Sequence, residues 1–429
     1  MLTSALCQQQ DREATTRLSA SKPRVYIQLN ADTSANHSQR GVRFARDFLT
    51  DCWNNGCNCA FPAILHFLTP MSWHSQQDEP LTWQYTAASI LKFDVRILHA
   101  IGVWALPVTR VYRAYTGAIL VLVVAYSVEA VIHIRLARFN LDDVTLAVST
   151  YAVIVSSACK LLSFLHHEPG YWRLVRWLDA LVAEQKQFCE ERPRLQAIFD
   201  RAQKRATRFT HALRIYNTSL ILAWVFIPLM APPGQRPLPF QQLPLSETDD
   251  FPLYIASYLL QSVCMLYMSL VSGCLDGFFT AVMIHTAAQF RILAWRIAEL
   301  RQNNEERKQQ ARSDVYEKSR KAAATDNVYE ELRLCIRTHQ EITSFAAHLE
   351  SVMKSIAALQ LVTGVTNGCL MIFPTAASSE SGALLKCVAC VPTISAQVLI
   401  YCLGAHSVQE QLLNAGYSYY ALLKNFNSR

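Results

Sequence analysis

The sequence predicts an all-α membrane protein: a bundle of six complete transmembrane helices plus a short seventh-helix remnant, with the N-terminus cytoplasmic. Three observations lead there. Hydrophobic residues make up 51% of the 429-residue chain and charged ones only 17%, against about 25% charged in an ordinary soluble domain. The apolar residues come in blocks of roughly 20, the length that crosses ~30 Å of hydrocarbon at ~1.5 Å of rise per residue. The basic residues collect on one side of those blocks.

Residues 1–90 are polar, rich in Gln, Ser and Asn, and lack a sustained helical period, which predicts a disordered extension. A compact lead-in opens at Met71, a candidate true start. Cys52, Cys57 and Cys59, with His66 and His74 beyond, have C-x4-C-x-C spacing rather than the paired C-x-x-C of a zinc site, so no metal or other cofactor is expected.

The receptor bundle spans 91–410. Its first span, Ala114 to Ile134, carries one acid, Glu129, and the second, Val144 to Leu165, one base, Lys160. Each ionisable residue lies close enough to a span end to snorkel. The third span, Ile215 to Pro232, and the fourth, Leu253 to Leu275, contain no charge, nor does the fifth, Ser355 to Ser379. The sixth runs from Cys387 to Ala405, and residues 411–429 form the seventh-helix remnant. Pro228, Pro374 and Pro392 kink or end their helices.

With the N-terminus inside, cytoplasmic segments hold 28 Lys and Arg and the opposite side holds four: Arg135, Arg138, Arg236 and Lys386. Basic residues near span ends stay cytoplasmic, so this topology is selected, the reverse of a G-protein-coupled receptor. The long segment before the fifth span repeats apolar residues at Leu332, Cys335, Ile336, Ile342, Phe345 and Leu349. That stripe predicts a cytoplasmic helix continuous with the fifth span and packed on a partner.

Function classes narrow quickly. A balance of 40 basic to 33 acidic residues, spread along the chain, is a poor nucleic-acid footprint. No catalytic or nucleotide-binding motif is present, so no enzyme is predicted. Seven of the 13 cysteines lie inside apolar blocks, where Cys acts as a small hydrophobe. His166 and His167 sit at a span end and read as interfacial. Asp276, just past the fourth span, fits an interfacial carboxylate and a structural partner for nearby bases equally well. The outer halves of the spans carry Tyr151, Trp224, Phe226, Tyr254 and Tyr258, which with Gln261 suit an apolar ligand cavity with a few polar anchors. The same aromatics suit an interfacial belt, and the residues alone do not choose.

Five short stretches, in order, resemble the insect odorant receptors. They are the lead-in Leu98 to Pro107 (LHAIGVWALP), Cys274 to Phe278 (CLDGF), Leu334 to Glu350 (LCIRTHQEITSFAAHLE), Leu399 to Gly404 followed by Gln409 and Glu410, and Tyr417 to Lys424 (YSYYALLK). The resemblance covers Leu98 to the end. It implies a seven-helix, ligand-tuning subunit of an odorant-gated, nonselective cation channel. The partners it implies are a shared coreceptor subunit, a small volatile ligand and the lipid bilayer. It places such a protein in the plasma membrane of olfactory sensory neurons, with the ligand in the outer half among the second, third, fourth and sixth helices. It also implies assembly or pore roles for Asp276, His339, Phe345, Tyr417, Ser418, Tyr419, Leu422 and Leu423. The chain departs from the pattern after Glu410, where the family's cytoplasmic helix and the first part of the last span are missing, as a gene-model or splice defect would leave them. A gustatory-type chemoreceptor or a membrane solute transporter are the alternatives.

Overall fold

A computed structural model describes residues 81–104, 106, 109–136, 141–190, 192–230, 238–240, 251–313, 318–377 and 381–427. The metal-ligand candidates from Cys52 to His74 and the possible start at Met71 lie outside them. Every regular element among the described residues is a helix, in the order α1 (Trp83–Ala88), α2 (Lys92–Ala100), α3 (Arg110–Leu136), α4 (Leu141–His166), α5 (Glu168–Cys189), α6 (Pro193–Phe226), a 3-10 turn (Ile227–Met230), α7 (Phe251–Ser313), α8 (Lys318–Ala377) and α9 (Ser381–Asn427).

Order begins before residue 91, earlier than the polar composition predicts. Thr82 caps α1 by accepting from the Tyr85 amide at 3.2 Å, and Leu81 and Thr86 are buried. A few apolar residues at the right spacing suffice once a larger surface is there to receive them. The LHAIGVWALP stretch then has a plain physical reading. Gly102 adopts φ of 81°, the left-handed conformation that ends α2 with amide bonds from Gly102 to the His99 carbonyl and from Val103 to the Leu98 carbonyl. The turn drives Trp104 inward against Phe164 and Phe278. Tyr112 and Tyr267 donate to the turn's carbonyls, of Trp104 at 2.8 Å and of Ile101 at 2.8 Å. Below it, Asp94 pairs with Arg214 of α6.

Among the described residues, five helices carry a window apolar enough to cross a membrane: α3, α4, α6, α7 and α9. They are not equivalent. Just over half of the window is buried in α4 and α7 (56% each), but only 22%, 17% and 6% in α3, α6 and α9. Helices α4 and α7 are therefore the central posts. At 63, 60 and 47 residues, α7, α8 and α9 measure ~95, ~90 and ~70 Å, far beyond ~30 Å of hydrocarbon, so they project past the membrane on the basic side.

The amphipathic stripe of α8 is buried as its period requires. Cys335, Ile342 and Phe345 are fully covered, Phe345 against Trp177 of α5 at 5.7 Å between ring centres. Arg333 and Arg337 point outward, Arg337 pairing with Glu341 at 3.1 Å. Residues 411–427 do not form a separate last helix; they are the final turns of α9, continuous with the sixth span.

Candidate functional site

A cavity of about 140 Å³ opens between α4, α6, α7, α8 and α9. Its walls are mixed. From α6 come Leu220, Ile221 and Trp224, and from α7 Met265 and Met268. Phe240, in the connection between α6 and α7, stacks on Trp224 with centroids 6.0 Å apart and covers one end. The remaining lining is rich in hydroxyls and amides. Several are tied together across helix boundaries: Ser149 donates to Asn367 at 3.3 Å, Ser156 meets Thr363 at 3.2 Å, and Gln360 donates to Gln397 at 2.8 Å. These bonds hold α4 to α8 and α8 to α9. Among the described residues, no Asp, Glu, Lys or Arg side chain lines the cavity.

Beneath it sits a buried ion pair. Lys160 Nζ donates to Asp276 Oδ1 at 2.8 Å and to Ser272 Oγ at 3.1 Å, and Ser272 itself lines the cavity. Tyr401 of α9 donates to the same carboxylate oxygen at 2.7 Å. Both charged side chains are about 1% exposed or less. Lys160 therefore does not snorkel, and Asp276 is not an interfacial carboxylate. The two residues lie on different spans but at matching depth, so pairing in the interior replaces a long reach to water. Glu129 is likewise turned inward: its Oε1 accepts from Gln261 Nε2 at 2.9 Å, while its Oε2 is buried without a hydrogen-bond partner.

The six aromatic and amide residues predicted to bind ligand are placed unevenly. Trp224 lines the cavity. Gln261 stands behind it, fully buried, with its Oε1 3.4 Å from the Phe240 amide. Tyr258 donates to the Val225 carbonyl at 2.7 Å and packs 6.1 Å from Tyr254, bracing α7 against α6 beside the cavity. Tyr151 is half-buried on α4, and Phe226 is 56% exposed on the outside of the bundle.

Of the residues with implied assembly or pore roles, Asp276 forms the ion pair and Phe345 is buried in the core below it. His339 meets the Phe290 ring edge at 6.2 Å, and burial lowers its pKa. On α9, Tyr419 is half-buried and Leu422 buried against the same core, whereas Ser418 donates to the Asn414 carbonyl at 2.9 Å and Tyr417 is 74% exposed. The Leu423 side chain lies outside the described residues.

Aromatic counting missed most of the lining. The signal was nonetheless present: polar residues recur at helical spacing inside apolar blocks, as in Ser262, Ser269, Ser272 and Asp276 on α7 or Gln360, Thr363 and Asn367 on α8. A polar stripe in a span marks a face turned away from lipid.

The family model for the 7tm odorant receptor matches residues 140–422. The chain belongs to the odorant receptor family. That match takes in α4 to α9 and with them every helix of the cavity. Among solved structures, the insect olfactory receptor OR5 from Machilis hrabei is similar in fold at a TM-score of 0.61 and 17% identity, over 77% of this chain and 82% of that one. The same receptor in complex with eugenol is similar at a TM-score of 0.58 and 19% identity, with the same coverage. No curated protein is a significant match. The protein is thus a member of the odorant receptor family with the fold of an insect olfactory receptor, a multi-pass membrane protein in a family of receptors rather than enzymes.

Proposed function

We propose that this odorant receptor is the ligand-tuning subunit of a heteromeric, odorant-gated, nonselective cation channel, working with a shared coreceptor in the plasma membrane of olfactory sensory neurons. The observation that carries the reading is the uncharged cavity, walled by five helices and floored by residues that link α4, α7 and α9. A site of that kind suits a small volatile molecule, and the receptor of similar fold solved with eugenol supports it. Ligand contact with α9 at Thr393, Ile394 and Gln397 would bear on a helix that continues past the membrane, the kind of two-ended element that gating needs. Tyr254, Tyr258, Gln261 and Tyr151 take a bracing role in this reading.

The test is co-expression with the coreceptor in oocytes under a panel of volatiles. Currents should appear only when both subunits are present. Currents of equal size without the coreceptor would overturn the heteromeric reading. Because α9 runs on where the resemblance implies a further span, we propose that this form leaves conduction to its partners. Transcripts read across codons 405 to 420 should carry extra in-frame sequence in conducting forms.

A further inference from the structure

Two buried polar residues of the cavity stand apart from the other buried ones, and half-buried Ser269 likewise shows no side-chain hydrogen bond among the described residues. Ser149, Asn367, Ser156, Thr363, Gln360, Gln397 and Ser272 all spend hydrogen bonds on one another or on the ion pair. Asn217 of α6 and Ser157 of α4 line the cavity with no side-chain hydrogen-bond partner among the described residues, although only 5% and 3% of their surfaces are exposed. Asn217 is also closely fitted: a Cβ added at Gly273 of α7 would lie 2.8 Å from its amide nitrogen. A buried amide or hydroxyl without a partner is costly and uncommon. Both side chains face the open space, so a bound molecule is the available partner.

Their depth gives the cavity a direction. Helices α4 and α7 run toward the basic extensions and α6 runs away from them. Ser157 is therefore two turns deeper than Ser149, Asn217 two turns deeper than Trp224, and Ser272 two turns deeper than Met265, each ~10 Å along the axis. The deep end offers free donors and acceptors, and on α6 and α7 the shallow end offers Trp224, Phe240 and Met265. Among the described residues no charged side chain lines the walls, and Lys160, which reaches the cavity only through Ser272, is committed to Asp276.

We propose that the cavity selects a neutral volatile with a hydroxyl or carbonyl oxygen at one end and a short hydrocarbon tail at the other, the oxygen seated at Asn217 and Ser157 and the tail against Trp224, Phe240 and Met265. A pure hydrocarbon of equal length fills the same space and leaves the Asn217 amide unpaired. Sites built to hydrogen-bond a ligand reject analogues that lack the group far more strongly than apolar walls reject a change of size. The proposal rests on the reading of the chain as a receptor with its ligand in this cavity.

The experiment is ligand binding to the full chain in lipid nanodiscs, with heptanol, heptanal and heptane as probes. Heptanol and heptanal should bind at least about tenfold more tightly than heptane. Asn217→Leu should remove that preference by weakening the oxygenated pair and sparing heptane. Ser157→Ala, a gentler change to packing, should reduce it in the same direction. Equal binding of heptane and heptanol, a preference untouched in both variants, or no binding of any of the three would overturn the proposal. Binding requires neither a partner nor a pore. Selective binding without current in co-expressing oocytes would therefore count against the gating reading alone, and currents with unselective binding would count against this inference alone.

Discussion

The cavity, walled by five helices, and the floor beneath it share α4, α7 and α9, yet they treat polar groups differently. In the floor, Lys160, Asp276, Ser272 and Tyr401 are drawn into one network, packed next to the ring cluster of Trp104, Phe164, Tyr171 and Phe278. In the cavity, hydroxyls and amides are paired singly across helix boundaries, and Asn217 and Ser157 are not paired at all. The floor ties its charges to one another and leaves only atoms sealed from open space, such as Asp276 Oδ2, without a partner; the cavity leaves neutral groups open to an occupant. The boundary between the two is Ser272, which belongs to both.

The sharpest way to break that contrast is to strand one charge in the floor. Lys160→Met leaves the Asp276 carboxylate buried without its cation, and should cost about 3–5 kcal/mol, read as lost surface expression and a lower melting temperature. Adding Asp276→Asn removes the charge and keeps an acceptor for Tyr401, so the double variant should recover most of the loss. A single variant as stable as the double would refute the floor's role.

A second test moves to the lead-in that braces the floor from outside the membrane. Burial, helped by the nearby Asp179 carboxylate, pushes the Tyr85 phenol up to about 12 from its ordinary 10. A phenol with a raised folded pKa stabilises the fold fully below pH ~10, and that contribution is lost as pH rises through ~12. Docking of α1 should therefore weaken in that window, and Tyr85→Phe should flatten the alkaline limb of the melting curve. An unchanged limb in the variant would show that another group governs it.

The smallest effect is expected in the cavity wall. Thr363→Val keeps the shape and removes one half of the Ser156 pair, whose other half still faces open space. The stability change should stay under about 1 kcal/mol. A loss as large as that of Lys160→Met would erase the distinction between wall and floor.

Much of this architecture was legible in the sequence, and the reasons are physical. Charge-free blocks announce spans because hydrocarbon tolerates little else, and the 3.6-residue stripe of α8 announced its buried face. What pairs across helices was not legible. Lys160 and Glu129 each look like a blemish near a span end, because one chain segment carries no record of which residue on another segment lies at its depth. The same blindness hid the cavity: aromatic residues at span ends are conspicuous, whereas scattered Ser, Thr, Asn and Gln become a lining only when five helices bring them together. The lead-in was underestimated from composition, since its order comes from Asp94 and Trp104 docking onto helices more than a hundred and fifty residues away along the chain in the case of Phe278.

Helix α9 touches both regions and then keeps going. Pro392 interrupts its ladder of amide bonds at the level of Thr393 and Ile394, Tyr401 anchors it about two turns further on, and Ala415 and Leu422 are gripped by the core at its far end. A stiff rod with a hinge at the top, a fulcrum in the middle and a clamp at the bottom is a lever. Any sideways push on its short arm by an occupant must be taken up either as bending at the proline or as torque on the clamped end.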